Sequence, residues 1–272
     1  MINIKEFYDS ITGSFTYLLH CSNSQSCAII DPVATVTDNK LSFEKADKVI
    51  EEILRLKLDL KWILETHIHA DHATACDYIK NKAASEGFGN NVKSAIGANV
   101  AKVTQYWAQH FNIDDPKLQS ASHFDKLLKD NEKITLGDHK IEVLSTPGHT
   151  PCCVCYKIDD KVFVGDVLFM PDVGSARCDF PGGSAEESYN SVQKIFKLPD
   201  DTKLYTGHDY PKNRDLQFLS TVKQQKEGNI MVGGNIAKKD FVVKRNAKDK
   251  NLAPPKLLQQ SLKVNIFAGK LY

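Results

Sequence analysis

The feature that most constrains this chain is the string His67-x-His69-x-Asp71-His72, which follows the apolar run Trp62-Ile63-Leu64. Three imidazoles and a carboxylate crowd into six residues. Neutral imidazole nitrogen and ionised carboxylate are good ligands for zinc and iron, and a metal site needs such a cluster. The run before it is too short for a helix and reads as a buried strand. A loop leaving a strand end fixes the first ligand while the turn aims the next. The bland alternative is a polar surface loop with chance histidines. Five of the nine histidines in the chain fall in this motif and its companions below, which argues against chance.

Thr146-Pro147-Gly148-His149-Thr150 follows another strand end, and its Pro-Gly turn can present His149 inward. Gly165-Asp166 follows Val162-Phe163-Val164. An aspartate at the end of a buried strand needs a partner, and a metal is one. Thr206-Gly207-His208-Asp209 again follows a strand. Each alone is weak, because an isolated histidine is more often a satisfied core or surface residue. Four strand-end motifs in one chain point to a metal site built from His67, His69, Asp71, His72, His149, Asp166 and His208.

The rest of the pattern alternates strands with helices. Phe15-Thr16-Tyr17-Leu18-Leu19 and Ser26-Cys27-Ala28-Ile29-Ile30 read as strands, the second stopped by Asp31-Pro32. Phe43, Ala46, Val49, Ile50, Ile53 and Leu54 share one helical face, with Ser42 placed to cap it. Helices are expected over residues 73–82, 99–111 and Ala185–Phe196. Strands are expected at Lys133–Leu136, 140–144, 152–158, 162–164 and 203–205, with turns at Gly137-Asp138 and Asp159-Asp160. Asp31 reads as a strand-end turn residue. After Arg214 the chain turns Lys-rich, which predicts a C-terminal extension over residues 213–272 wrapping a core of about 1–212, all in one domain. Sheets covered by helices are implied.

Composition excludes several classes. A net charge of +1 creates no field for nucleic acid or an anionic membrane. No apolar run approaches the ~20 residues that span a bilayer, and no signal-peptide layout opens the chain. The cytoplasm is the default location. Seven cysteines, an odd and scattered set, are no disulfide framework. Cys152-Cys153-x-Cys155 has no partner pair at zinc-ribbon spacing and reads as small thiols packed in a strand.

Taken together, THIHADH, TPGHT, VGD and TGHDY resemble the metallo-β-lactamase superfamily over about residues 1–212. The resemblance implies an α/β fold, an αββα sandwich of two central mixed sheets flanked by helices, with one or two metals at the sheet edge. The segment Gly174-Ser175-Ala176-Arg177-Cys178-Asp179-Phe180-Pro181-Gly182-Gly183 resembles the persulfide dioxygenases, also called sulfur dioxygenases. The stretch 262–269 looks like the C-terminal end of a bacterial branch of that family, and the chain leaves no room for the rhodanese domain some members carry. The family match implies one Fe(II) per chain held by His67, His149 and Asp166, a two-histidine, one-carboxylate triad with open positions. It implies oxidation of glutathione persulfide by O₂ to sulfite and glutathione. Arg177, Tyr210 and Thr150 match positions around the glutathione; Arg177 can equally pair with Asp179 or Asp172. Cys178 stands where many relatives have Thr and reads as a packing thiol beside Asp179. His69, Asp71, His72 and His208 either orient ligands and water or complete a second site. The second case fits a glyoxalase II-like thioester hydrolase with zinc or a dinuclear Fe/Zn centre. A non-catalytic metal- or persulfide-binding sensor is a third class; missing ligands would favour it, and none is missing. The resemblance also allows a homodimer.

Overall fold

The computed structural model describes residues 1–37 and 40–271; residues 38, 39 and 272 lie outside it. Two six-stranded sheets face each other. The first runs in the order Ile2–Asp9, Ser14–Cys21, Ser26–Ile30, Asp59–Leu64, Lys93–Gly97, Lys126–Leu128. Its first three strands pair antiparallel and the remaining contacts are parallel. The second runs Lys133–Leu136, His139–Ser145, Val154–Ile158, Lys161–Gly165, Lys203–Thr206, Leu219–Thr221, with one parallel pairing, between the fourth and fifth strands. Both sheets are therefore mixed, as expected. A small sheet of Lys40–Ser42, Val33–Thr37 and Ala73–Thr74 lies beside the first.

The strand period of two explains the layering. In Ser14–Cys21, the side chains of Phe15, Tyr17, Leu19 and Cys21 enter the core between the sheets. They meet Ile141, Val143, Tyr156, Phe163 and Tyr205 from the other side. Leu18, Cys27, Ile29 and Ile63 point the opposite way, onto the helices Glu44–Arg55 and Cys76–Glu86. On the outer face of the second sheet, Val162, Val164 and Leu204 meet Val192 and Ile195 of Ala185–Phe196 and Phe241 of Lys238–Asp249. A slip of one residue in any of these strands would turn its apolar set to the wrong layer, so burial fixes the register.

The sheets are also stitched together by polar bonds near one edge. Phe15 N donates to Gly207 O at 2.8 Å, and Val154 N donates to Thr66 O at 2.9 Å. Tyr17 Oη donates to Thr206 O and Tyr156 Oη to Glu65 O, at 2.6 and 2.7 Å. These bonds sit where the strand-end motifs emerge.

Some boundaries differ from expectation. The first helix starts at Glu44 with Phe43 as its N-cap and no capping side chain; Ser42 instead ends a strand of the small sheet. Ala73 and Thr74 pair with Ala34 and Val33, so the next helix waits until Cys76. Cys152 and Cys153 lie in the turn before Val154–Ile158. Beyond residue 213 the chain adds the edge strand Leu219–Thr221 and the helices Val222–Gly228, Lys238–Asp249 and Leu258–Asn265. Leu262, Ile266 and Phe267 join a buried cluster with Val100, Val103 and Trp107. No helix among the described residues is long and apolar enough to cross a membrane.

Candidate metal centre

Every histidine and carboxylate predicted for the metal site leaves the end of a strand at the same edge of the sandwich. His67, His69, Asp71 and His72 occupy the loop after Asp59–Leu64. His149 lies between His139–Ser145 and Val154–Ile158; Asp166 directly follows Lys161–Gly165; His208 follows Lys203–Thr206. One glycine makes this possible. Gly148 has φ +146°, and a Cβ there would lie 2.4 Å from the Ser188 backbone. Only the missing side chain lets His149 approach over the start of the helix Ala185–Phe196.

The ligand atoms fall into groups. Those of His67, His149 and Asp166 lie within 4.8 Å of one another, and so do those of His69, Asp71 and His72. Asp166 stands between the groups. Its Oδ2 is 3.7 Å from His149 Nε2 and 4.0 Å from His67 Nε2, while its Oδ1 is 3.5 Å from His208 Nε2. His208 Nε2 is also 3.4 Å from Asp71 Oδ2.

Hydrogen bonds behind the rings fix which nitrogen faces inward. His149 Nδ1 donates to Arg177 O at 2.6 Å. Thr66 Oγ1 gives its hydrogen to Asp31 Oδ2 at 2.8 Å, so it accepts from His67 Nδ1 at 3.0 Å. Thr12 Oγ1 donates to Asp9 Oδ2, Ser14 Oγ donates to Thr12 Oγ1, and Ser14 Oγ accepts from His208 Nδ1 at 3.3 Å. His72 Nδ1 donates to Ala73 O at 3.2 Å. In each case the hydrogen sits on Nδ1 and the Nε2 lone pair is left for a metal.

Charge follows the same pattern. Burial, reinforced by the neighbouring imidazoles, holds His67 well below the usual histidine range. Burial and then His69 bring His72 down to about 4. Both are neutral, the form that binds metal. Burial alone would raise Asp71, but His208, His72 and His69 outweigh it and hold the carboxyl at about 2. His69 differs. Burial opposes its charge, yet Asp31 Oδ1 at 3.1 Å and Glu65 Oε2 at 3.5 Å raise it well above the usual range.

Buried Asp166 Oδ1 and Asp71 Oδ2 have no hydrogen-bond partner among the described residues. A buried carboxylate oxygen left unpaired is costly. Imidazole nitrogens converging on such oxygens form a donor set that fits a divalent metal.

Asp166, His149 and His208 line a cavity of about 330 Å³ that also meets Arg177, Tyr210 and Lys248. Tyr210 stacks on His208 at 5.6 Å. Arg177 forms a two-pronged pair with Asp179, at 2.6 and 2.8 Å, and donates to Ala253 O and Leu252 O. Asp172 pairs with Arg214 instead. Thr150 is buried against Cys152 and Cys153, with Oγ1 at 3.2 and 3.1 Å from their sulfurs, and does not line this cavity. Burial pushes the Cys178 thiol up to about 12, and its amide donates to Asp249, consistent with a packing thiol.

A family model of the Metallo-beta-lactamase superfamily matches residues 11–208. The chain belongs to the metallo-β-lactamase superfamily. Among its superfamily relatives, Glyoxylase B2 of Dictyostelium discoideum is 42% identical, over 97% of this chain and 89% of its own length. The mitochondrial persulfide dioxygenase ETHE1 of Homo sapiens is 30% identical, over 77% of this chain and 69% of its own. The crystal structure of ETHE1 from Myxococcus xanthus matches with a TM-score of 0.79 at 27% identity, covering 98% of this chain and 100% of that one. The expected αββα architecture and kinship to the persulfide dioxygenases hold.

Sequence reasoning passed over three residues of this metallo-β-lactamase site. Asp31 accepts from Thr66 N and Oγ1, and with Glu65 it backs His69. Asn265 bonds the motif loop from the far end of the chain. The signals were present: Asp31 ends an apolar strand as Asp166 does, Glu65 directly follows Ile63-Leu64, and Asn265 interrupts Val264-Ile266-Phe267. A polar residue set into an apolar run is buried with a partner or not buried at all.

Proposed function

We propose that the chain is an iron-dependent persulfide dioxygenase that oxidises glutathione persulfide with O₂. The observation that carries this reading is the grouping of His67 and His149 with the single carboxylate Asp166, while His69 groups with Asp71 and His72. Two histidines and one carboxylate with open positions suit non-haem Fe(II). Ferrous iron held there supplies the O₂ activation that side chains lack. The residues of the chain supply the rest. The Nδ1 bonds hold the rings of His67 and His149, and the cavity beside Asp166 admits the persulfide. Lys248 lines that cavity with a side chain that makes no hydrogen bond or ion pair among the described residues, so its ammonium is available to an anionic end of the substrate. Arg177, satisfied by Asp179, is better suited to shaping the wall. In the overall reaction the terminal sulfur is oxidised to sulfite and O₂ is reduced. Two oxygens of sulfite come from O₂ and the third from water. The S–S bond breaks, and glutathione and two protons are released.

The second reading is a dinuclear thioester hydrolase of the glyoxalase II kind, favoured by the grouping of His69, Asp71 and His72 and by the Glyoxylase B2 relative. Oxygen uptake by anaerobically purified, iron-loaded protein given glutathione persulfide separates the two, with metal counted on the same sample. Uptake matched by sulfite, at about one iron per chain, is the expected result. No uptake, two metals per chain and hydrolysis of S-lactoylglutathione would replace it with the hydrolase.

A further inference from the structure

The loop that carries His67 to His72 has no regular structure of its own until the two-residue strand Ala73–Thr74. Such a loop must take its backbone partners from elsewhere. Three of them come from one side chain. Asn265 Nδ2 donates to His69 O and to His72 O, both at 2.8 Å, and Asn265 Oδ1 accepts from Thr74 N at 2.8 Å. The amide is fully engaged, and its orientation is fixed, because only its nitrogen can face two carbonyls. Asn265 is buried, as the last residue of the helix Leu258–Asn265. The chain beyond it stays against Thr74 and the start of the helix Cys76–Glu86 that follows the loop. Gly269, at φ +90°, passes so close that a Cβ would lie 2.9 Å from Asp77 N. Asn265 and Gly269 lie outside the matched residues 11–208, whereas the loop they hold lies within them.

We infer that Asn265 is a positioning residue of the metal centre, tying the ligand loop to the C-terminal helix so that metal retention and docking of that helix reinforce each other. Asn265 touches no reacting atom; it acts through the carbonyls that set where His69 and His72 stand. A residue that fixes loop geometry also lowers the cost of ordering the loop around an ion. By linkage, an ion that orders the loop must then favour the docked helix by the same factor. On the one-iron reading the tie reaches the metal through His67, two residues before His69 on the same loop; on the two-metal reading it reaches it through His69 and His72 themselves, so failure of the inference would leave the choice between oxidation and hydrolysis untouched.

The test compares wild type with Asn265→Asp, which keeps the acceptor for Thr74 N and turns the donors into a carboxylate oxygen facing two carbonyls. Affinity is measured by competition titration with Fe(II) under anaerobic conditions and, separately, with Zn(II). A loss of about 10–100-fold is expected, the range seen when partners behind metal ligands are changed. The metal-free melting temperature is recorded alongside: a merely structural role lowers it and leaves affinity unchanged. Hydrogen exchange on the wild type supplies the second arm and decides the matter if the variant does not fold. Zn(II) should slow exchange in residues 258–265 as well as in residues 67–74. Affinity within about twofold of wild type, or unchanged exchange in 258–265 when metal binds, would overturn the inference.

Discussion

Thr66 stands between a buried carboxylate and a metal-site imidazole, giving its hydrogen to Asp31 and accepting one from His67. Thr66→Val keeps the shape but leaves Asp31 Oδ2 and His67 Nδ1 without that partner. We expect a loss of about 1–3 kcal/mol in urea unfolding, the cost of stranding a buried polar group. Metal affinity should fall by about tenfold or more, because the His67 ring is no longer fixed. The ligands themselves were legible in the sequence because His and Asp at strand ends advertise their chemistry by type. The groups behind them were harder to read. Asp31 ends an apolar strand as Asp166 does, but with no histidine beside it the same signal also fits a turn aspartate, and its partner is identified only when folding brings it 3.1 Å from His69. Arg177 carried two equal readings until its guanidinium was seen to be taken by Asp179 and two carbonyls.

The helix Glu44–Arg55 shows what spacing can and cannot tell. Ala46, Val49, Ile50 and Ile53 are buried against the first sheet, as their three- and four-residue steps require. The start was misread because Ser42 pairs with Thr35 of the preceding strand, so it ends a short strand instead of capping the helix. The same helix carries an acid-sensitive tie. Glu52 accepts two bonds from Arg55 at 2.7 Å and pairs with Lys5 of the first strand at 3.1 Å. The Arg55 bonds, aided by Lys5 and opposed by burial, hold the Glu52 carboxyl at about 2. Its folded pKa is below the unfolded value of 4.5, so its stabilisation is full above pH 4.5 and fades as pH falls toward 2. Glu52→Gln should therefore lower stability at neutral pH and flatten the loss between pH 4.5 and 2, as read by urea unfolding across that range. An unchanged acid limb would count against this tie.

At the scale of the molecule, the segment beyond residue 213 reaches the centre from a second direction. Arg245, 1% exposed, pairs with Asp249 and donates to Ser175 O, and Asp249 accepts from Cys178 N. This brackets Arg177, whose carbonyl orients His149. Arg245→Met should cost about 3–5 kcal/mol of unfolding free energy, because it leaves the Asp249 charge buried without its partner. A loss below about 1 kcal/mol would show that Asp249 finds another donor. The Lys-rich composition of this segment signalled a surface extension, whereas burial of Phe241, Leu262 and Ile266 depends on three-dimensional neighbours that composition does not name. The bonds Phe15–Gly207 and Val154–Thr66, which stitch the sheets beside the ligands, join stretches far apart in the chain. Long loops must close before such contacts form, which makes them slow. A refolding chain should regain most of its sheet circular dichroism first and its capacity to capture metal later. During maturation, metal insertion would then follow folding and could not guide its early steps.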